Sequence, residues 1–238
     1  MLLKHHLLRK LVVVVTVLPA LFFGYKMIDL SEYTLPREQE LPLFDPHMKA
    51  FNCTHETRHI PPIDAEAEAW FQEARALEAP EIYVDDRDYK RIVDLTRQAA
   101  ERRHWKAMLN LASLYLEGRD PRHGTGDALL LVEEAMRLGG PAAYDRMGTY
   151  YSNGTGVRAD VERAHAFWLR AAEMGNPQSM TYLANKMDAT WDSPKDGFWA
   201  NISVATKMFE CALAQGFGDA AYPLQFHYLH PQGSHAEI

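Results

Sequence analysis

Shifting the sequence against itself by 36 residues aligns small and large residues in a common pattern, and that echo limits the possible folds more than any other feature. Ala128, Ala135 and Gly139 recur as Ala164, Ala171 and Gly175, and Ala107, Leu111 and Tyr115 recur as Ala143, Met147 and Tyr151. A further shift of 41 reaches Ala205, Ala212 and Gly216; the extra residues fall within DATWDSPKDGF, residues 188–198, where a loop between two helices absorbs them. Each unit reads as helix A, a polar or Gly-rich turn, helix B and an exit marked by glycine. A unit of this kind cannot bury its apolar face alone, so neighbours must stack, and about three are needed. Three are present, over about 105–140, 141–176 and 177–217, flanked by partial units within a helical repeat domain spanning 64–238. The expected fold is all-α: a right-handed α-solenoid of stacked antiparallel helix pairs.

The unit 141–176 shows why its residues suit that role. Ala143, Ala164 and Ala171 let helices approach closely, while Met147, Tyr151, Phe167 and Trp168 fill the space between layers. Gly154 and Gly156 are suited to a turn with positive φ, Asp160 to capping helix B, and Gly175 to the left-handed position after it. The glycines of YYSNGTGVRAD therefore need no ligand to account for them.

Before the repeats the composition changes twice. Residues 1–28 hold four of the 25 Lys and Arg residues and no acid, and they enclose an uncharged run from Leu11 to Tyr25. This is a targeting segment, read as an uncleaved signal anchor in preference to a cleaved signal peptide, with its positive end inside and the domain exported. Residues 29–63 carry Pro36, Pro42, Pro46, Pro61 and Pro62 without a sustained helical period, as a linker or extended arm would. Past residue 28 the formal charge is −11. That balance excludes nucleic acid as a partner, since phosphates demand Lys and Arg, and it fits a cationic or mixed protein surface.

No sequence pattern for catalysis is present: HExxH, GxSxG, Walker A and GxGxxG after a strand are all missing. Cys53, His55, Glu56 and His59 are metal-ligating types at close spacing, but no second pair follows, and polar side chains on a surface arm are the favoured reading. Asp85, Asp86 and Asp88 precede a helix, where capping and the macrodipole favour them. They lack the central Gly and terminal Glu of a calcium loop. His227 and His230 lie in a terminal helix and His235 in the tail, an end more often frayed than ligating. No metal or other cofactor is expected. Cys53 and Cys211 could pair in an oxidising compartment; the alternative is two unpaired thiols, one in a helix core.

AAYDRMGTYYSNGTGVRADVERAHAFWLRAAEMGN resembles one unit of the Sel-one-like repeat family, relatives of the tetratricopeptide repeats. Met147-Gly148, Gly154 to Val157, Trp168 and Ala171-Ala172 carry the likeness, whereas HGTGD at 123–127 and the 188–198 insertion depart from it. The resemblance implies an α-solenoid used for protein binding, not an enzyme. A second likeness lies in the order of elements and in AFNCTHETRHIPPIDAEAEAWFQEARAL, residues 50–77. These are similar to bacterial envelope proteins encoded beside type VI secretion phospholipase effectors, which act as immunity proteins. It implies a periplasmic protein, tethered to the inner membrane, whose partner is a secreted lipase toxin. The alternatives are a membrane-anchored adaptor of an envelope or endoplasmic-reticulum complex and, less favoured, an envelope hydrolase.

By analogy with related helical repeats, the partner-binding positions lie two and five residues either side of Leu111, Met147 and Leu183 on the helix A surfaces. They are Lys106, Ser113, Asp145, Thr149, Gln178, Thr181, Asn185 and Asp188. An ordinary solvated face is the competing reading for any one of them.

Overall fold

The computed structural model describes residues 35–188 and 200–229. The chain divides into two units, Met1–Glu38 and Gln39–Ile238. In the first, the described residues include a 3-10 turn at Pro36–Glu38. The anchor expected over residues 1–28 lies outside the described residues. Among those residues, no helix is long and apolar enough to cross a membrane.

The second unit is all-helical among its described residues. Its helices are α1 (Ala65–Leu77), α2 (Tyr89–Glu101), α3 (Trp105–Leu116), α4 (Thr125–Arg137), α5 (Pro141–Asn153), α6 (Val161–Glu173), α7 (Pro177–Met187), α8 (Ile202–Ala214) and α9 (Ala221–Leu229). Consecutive helices pack as pairs, α1 with α2, α3 with α4, α5 with α6 and α7 with α8, and each pair leans on the next, with α9 against α8. This is the α-solenoid expected from the echo, with the odd-numbered helices as helix A and the even-numbered as helix B.

Capping sets the helix starts. Asp64, Asp88, Asp160 and Asn176 accept from the backbone N–H three residues on at 2.9–3.0 Å, and Pro141 and Pro177 open α5 and α7. His104 does the same for α3: its Nδ1 accepts from Ala107 N at 3.1 Å, so the ring proton sits on Nε2 and is donated to Glu68 at 2.8 Å. Asp88 thus caps α2, while Asp85 and Asp86 lie in the preceding 3-10 turn.

The exit from each helix B needs a left-handed residue. Gly139, Gly175 and Gly216 supply it with φ of +83°, +93° and +84°, and Arg103 occupies the same place after α2 with φ +63°. The pair α1–α2 is therefore a full unit built on the same plan, one unit earlier than the three repeats the sequence predicts.

Within the stack, Ala143, Ala164 and Ala171 are buried, and Tyr151 stacks on Phe167 with centroids 5.4 Å apart. Trp168 enters between α5 and α7: its Nε1 donates to the Asp145 carbonyl at 3.2 Å, and its ring lies 4.1 Å from that of Tyr182. It fits because position 148 has no side chain; a Cβ there would lie 2.7 Å from the indole.

The arm, residues 39–63, belongs to the same compact unit as the helices. Phe44 meets His165 of α6, and Phe51 is buried in the core. Asn201, while capping α8, donates through Nδ2 to the Pro46 and Met48 carbonyls at 2.8 and 3.0 Å. Cys53 is disulfide-bonded to Cys211 of α8, with Cα atoms 5.7 Å apart. One helical turn further, Gln215 accepts from Glu56 N at 2.8 Å and donates to the Gly175 carbonyl at 3.0 Å, while Asn176 donates to the Glu56 carboxylate at 3.0 Å. The arm passes so close to Gly175 that a Cβ there would sit 2.5 Å from Glu56 N.

Candidate protein-binding face

Helices α3, α5 and α7 carry the positions singled out from the sequence, and the structure sorts them into three groups. Lys106, Gln178 and Asn185 are exposed, and Lys106 lies over the ring of Trp105 at 5.3 Å. Ser113, Asp145 and Thr149 are half-buried and hydrogen-bonded. Thr181 and Asp188 are buried. The offsets mislead at these last two because Thr181 and Asp188 share a helical stripe with buried Ala184 instead of facing outward. Asp188 is further covered by α9, where His227 Nε2 stands 3.2 Å from its carboxylate. His227 is accordingly buried rather than frayed, its Nδ1 2.8 Å from Thr206 Oγ1, while His230 and His235 lie outside the described residues.

The half-buried positions form a polar seam across the helix A surfaces. On one flank of α5, the Asp145 carboxylate accepts from Ser179 Oγ of α7 at 2.6 Å. Burial pushes that carboxyl above its ordinary range and the charge of Glu56 adds to the rise, while the Ser179 hydrogen bond and Arg146 pull it back. Thr149 Oγ1 donates to the Asp145 carbonyl at 3.3 Å. On the opposite flank, Arg146 Nη1 donates to Ser113 Oγ of α3 at 2.7 Å. Beside it the Tyr150 hydroxyl is wholly buried; burial pushes the phenol up, and the Arg146 charge offsets part of that. Arg146 escapes the sequence reading because it is adjacent to Met147, between the sampled offsets. Its signal was a cation on an otherwise apolar or neutral flank.

Three of the four close-spaced candidates in the arm are engaged within the fold. Cys53 is in the disulfide, His55 Nδ1 accepts from Thr57 N at 3.2 Å, and Glu56 holds Asn176. Among the described residues, no group of three or more His, Cys, Asp or Glu side chains is placed to hold a metal ion.

A different buried charge supports the turn between α3 and α4, the place where HGTGD departs from the pattern of the next unit. Asp120 accepts from Arg122 Nε and Nη2 at 2.9 and 3.0 Å and from Arg97 Nη2 of α2 at 2.5 Å. The hydrogen bond from Arg122 leads in holding its carboxyl down at about 2, with the charges of Arg122 and Arg97 adding to it against the opposing effect of burial. Asp120 therefore braces a turn in which Gly118, at φ +71°, also takes the left-handed backbone.

The paired helices, the glycine-ended helix B and the indole between layers decide the repeat type. Two stretches of the chain match the Sel1 repeat. The family model with that description matches residues 105–126 and 141–176. Among solved structures, immunity protein PA5088 from Pseudomonas aeruginosa is 34% identical, with a TM-score of 0.61, over 76% of this chain and 64% of that one. Immunity protein Pa5087 from the same organism is 33% identical, with a TM-score of 0.58, over 75% of this chain and 64% of that one. Chitin synthase regulatory factor 3 of Schizosaccharomyces pombe is 35% identical over 89 residues, which are 36% of this chain and 9% of that protein. The chain thus spans less than two thirds of the length of each of these relatives. Folds of this kind are scaffolds for protein interaction, not catalytic frameworks.

Proposed function

We propose that this chain is an immunity protein that binds a cognate phospholipase effector of type VI secretion in the periplasm. It would neutralise the effector by covering its active-site entrance or its membrane-docking face. The observation that carries this reading is the similarity to two immunity proteins across three quarters of the chain. The likeness to the chitin synthase regulatory factor is confined to 89 residues and favours no particular partner.

Three further observations support it. The Cys53–Cys211 disulfide suits an oxidising compartment such as the periplasm, and the uncharged run Leu11–Tyr25 suits export with retention at the inner membrane. The formal charge of −11 past residue 28 suits an effector that exposes basic residues to phospholipid headgroups. The reading expects a lipase gene adjacent to this one, and the test uses its product. The chain without residues 1–28 should bind that lipase in isothermal titration, and its periplasmic expression should rescue cells in which the lipase is expressed. Absence of both binding and rescue removes the proposal.

A further inference from the structure

We propose that Arg146 receives one acidic side chain of the bound protein, and that this carboxylate sets the partner's register along the helix A surfaces. The inference rests on the protein-binding reading above and adds the chemistry of the contact.

A half-buried cation is costly unless a carboxylate or a full set of acceptors compensates it. Two other half-buried guanidiniums are compensated: Arg97 lies between Asp94 and Asp120, and Arg87 donates to the Ile82 and Ala79 carbonyls. Arg146 is different. Its Nη1 is held by Ser113 Oγ at 2.7 Å and its flank lies beside the Tyr150 hydroxyl, both uncharged. No carboxylate among the described residues forms an ion pair with it. The adjacent Asp145 carboxylate is turned to Ser179 on the other side of α5.

A guanidinium presents five N–H donors in a planar fork, and a hydroxyl on one of them leaves the fork able to take a carboxylate. Ser113 and Tyr150 act as positioning residues. Ser113 Oγ is itself tied to the Leu109 carbonyl at 3.3 Å, so the arginine is oriented before any partner arrives.

The repeat makes this position singular. One unit earlier the equivalent residue is Asn110, whose amide reaches Glu78 at 3.4 Å; one unit later it is Tyr182, packed against Trp168. Neither is charged. A partner sliding by one repeat would bring its carboxylate opposite a neutral side chain, whereas the acidic field of the whole domain discriminates no register.

The experiment is isothermal titration of the chain lacking residues 1–28 with the lipase encoded beside it. Arg146→Gln should weaken binding on the order of 30-fold or more, and Arg146→Lys by less. Arg170→Gln, which removes an exposed cation from α6, should leave binding unchanged. Arg146→Glu should lose binding and regain it when one Asp or Glu of the lipase is changed to Lys. Each variant is first matched to the parent by its melting curve; should the Gln variant be unfolded, the Lys variant and the charge exchange decide. If the parent binds and Arg146→Gln binds equally well, this inference fails while the immunity reading stands. If the parent does not bind, both fail.

Discussion

The first two units of the stack and the last two are held by different forces. At the N-terminal end, α1 to α4 are bound mainly by charge, Asp120 with Arg97 and Arg122 and Arg102 with Asp64 and Glu66, together with the hydrogen bond from His104 to Glu68. At the C-terminal end, α6 to α8 are bound by the arm, through a disulfide and the amides of Asn176, Asn201 and Gln215. A linear repeat array makes contacts only between neighbours, so each end unit lacks half of its support. Here one end compensates with ion pairs inside its turns and the other with a strap drawn from outside the repeat.

Replacing Cys53 and Cys211 together by Ser should have the largest effect. Their separation of 158 residues makes the link a strong restraint on the unfolded chain, and its loss should cost about 4 kcal/mol. Denaturant unfolding measures the total, and hydrogen exchange should show α7 and α8 losing protection before α2 and α3. Equal loosening at both ends would break the contrast. Gly175→Ala should come next, at about 3 kcal/mol. The new Cβ combines a left-handed backbone with contacts under 3 Å to His55 and Glu56, so the arm must shift. A thermal melt gives the loss, and unaltered exchange in α2 and α3 would place it at the C-terminal end.

At the other end, Asp120→Asn should cost about 2 kcal/mol at neutral pH, because the folded carboxyl titrates at about 2 against an ordinary 3.8. A depressed carboxyl contributes fully above its unfolded value and loses that contribution as pH falls from about 4 towards 2. The parent should therefore weaken across that window while the Asn variant shows a flatter profile in acid titrations followed by circular dichroism. The smallest effect has the opposite sign. Arg103→Gly should stabilise the first unit by about 1 kcal/mol, since it relieves the one non-glycine residue with positive φ among the described residues. A lowered midpoint would show that the Arg103 side chain makes up for its backbone.

The stack itself was legible in sequence because periodic burial leaves a periodic trace: Met147, Phe167 and Trp168 lie where the echo puts them, and Asp160 caps α6. The earliest unit was harder to see. Its exit carries Arg103 in place of the usual glycine, and nothing in a single sequence marks an arginine as left-handed. The arm left no trace of where it docks, because its contacts join residues more than 100 positions apart and follow no period. For the same reason pairing of Cys53 with Cys211 could not be separated from two free thiols. On the binding face, fixed offsets located exposed Lys106, Gln178 and Asn185, but they could not register that α9 folds back over Asp188 or that Arg146 reaches sideways to α3.

The strap also has a mechanical consequence. Cys53 is fastened to α8 in the last complete pair, and eleven residues later Asp64 starts α1 in the first. Eleven residues extend at most about 40 Å. Cys211 of the last complete pair and the start of the first pair are therefore tied within that distance, and any motion that would draw them farther apart must strain the tether.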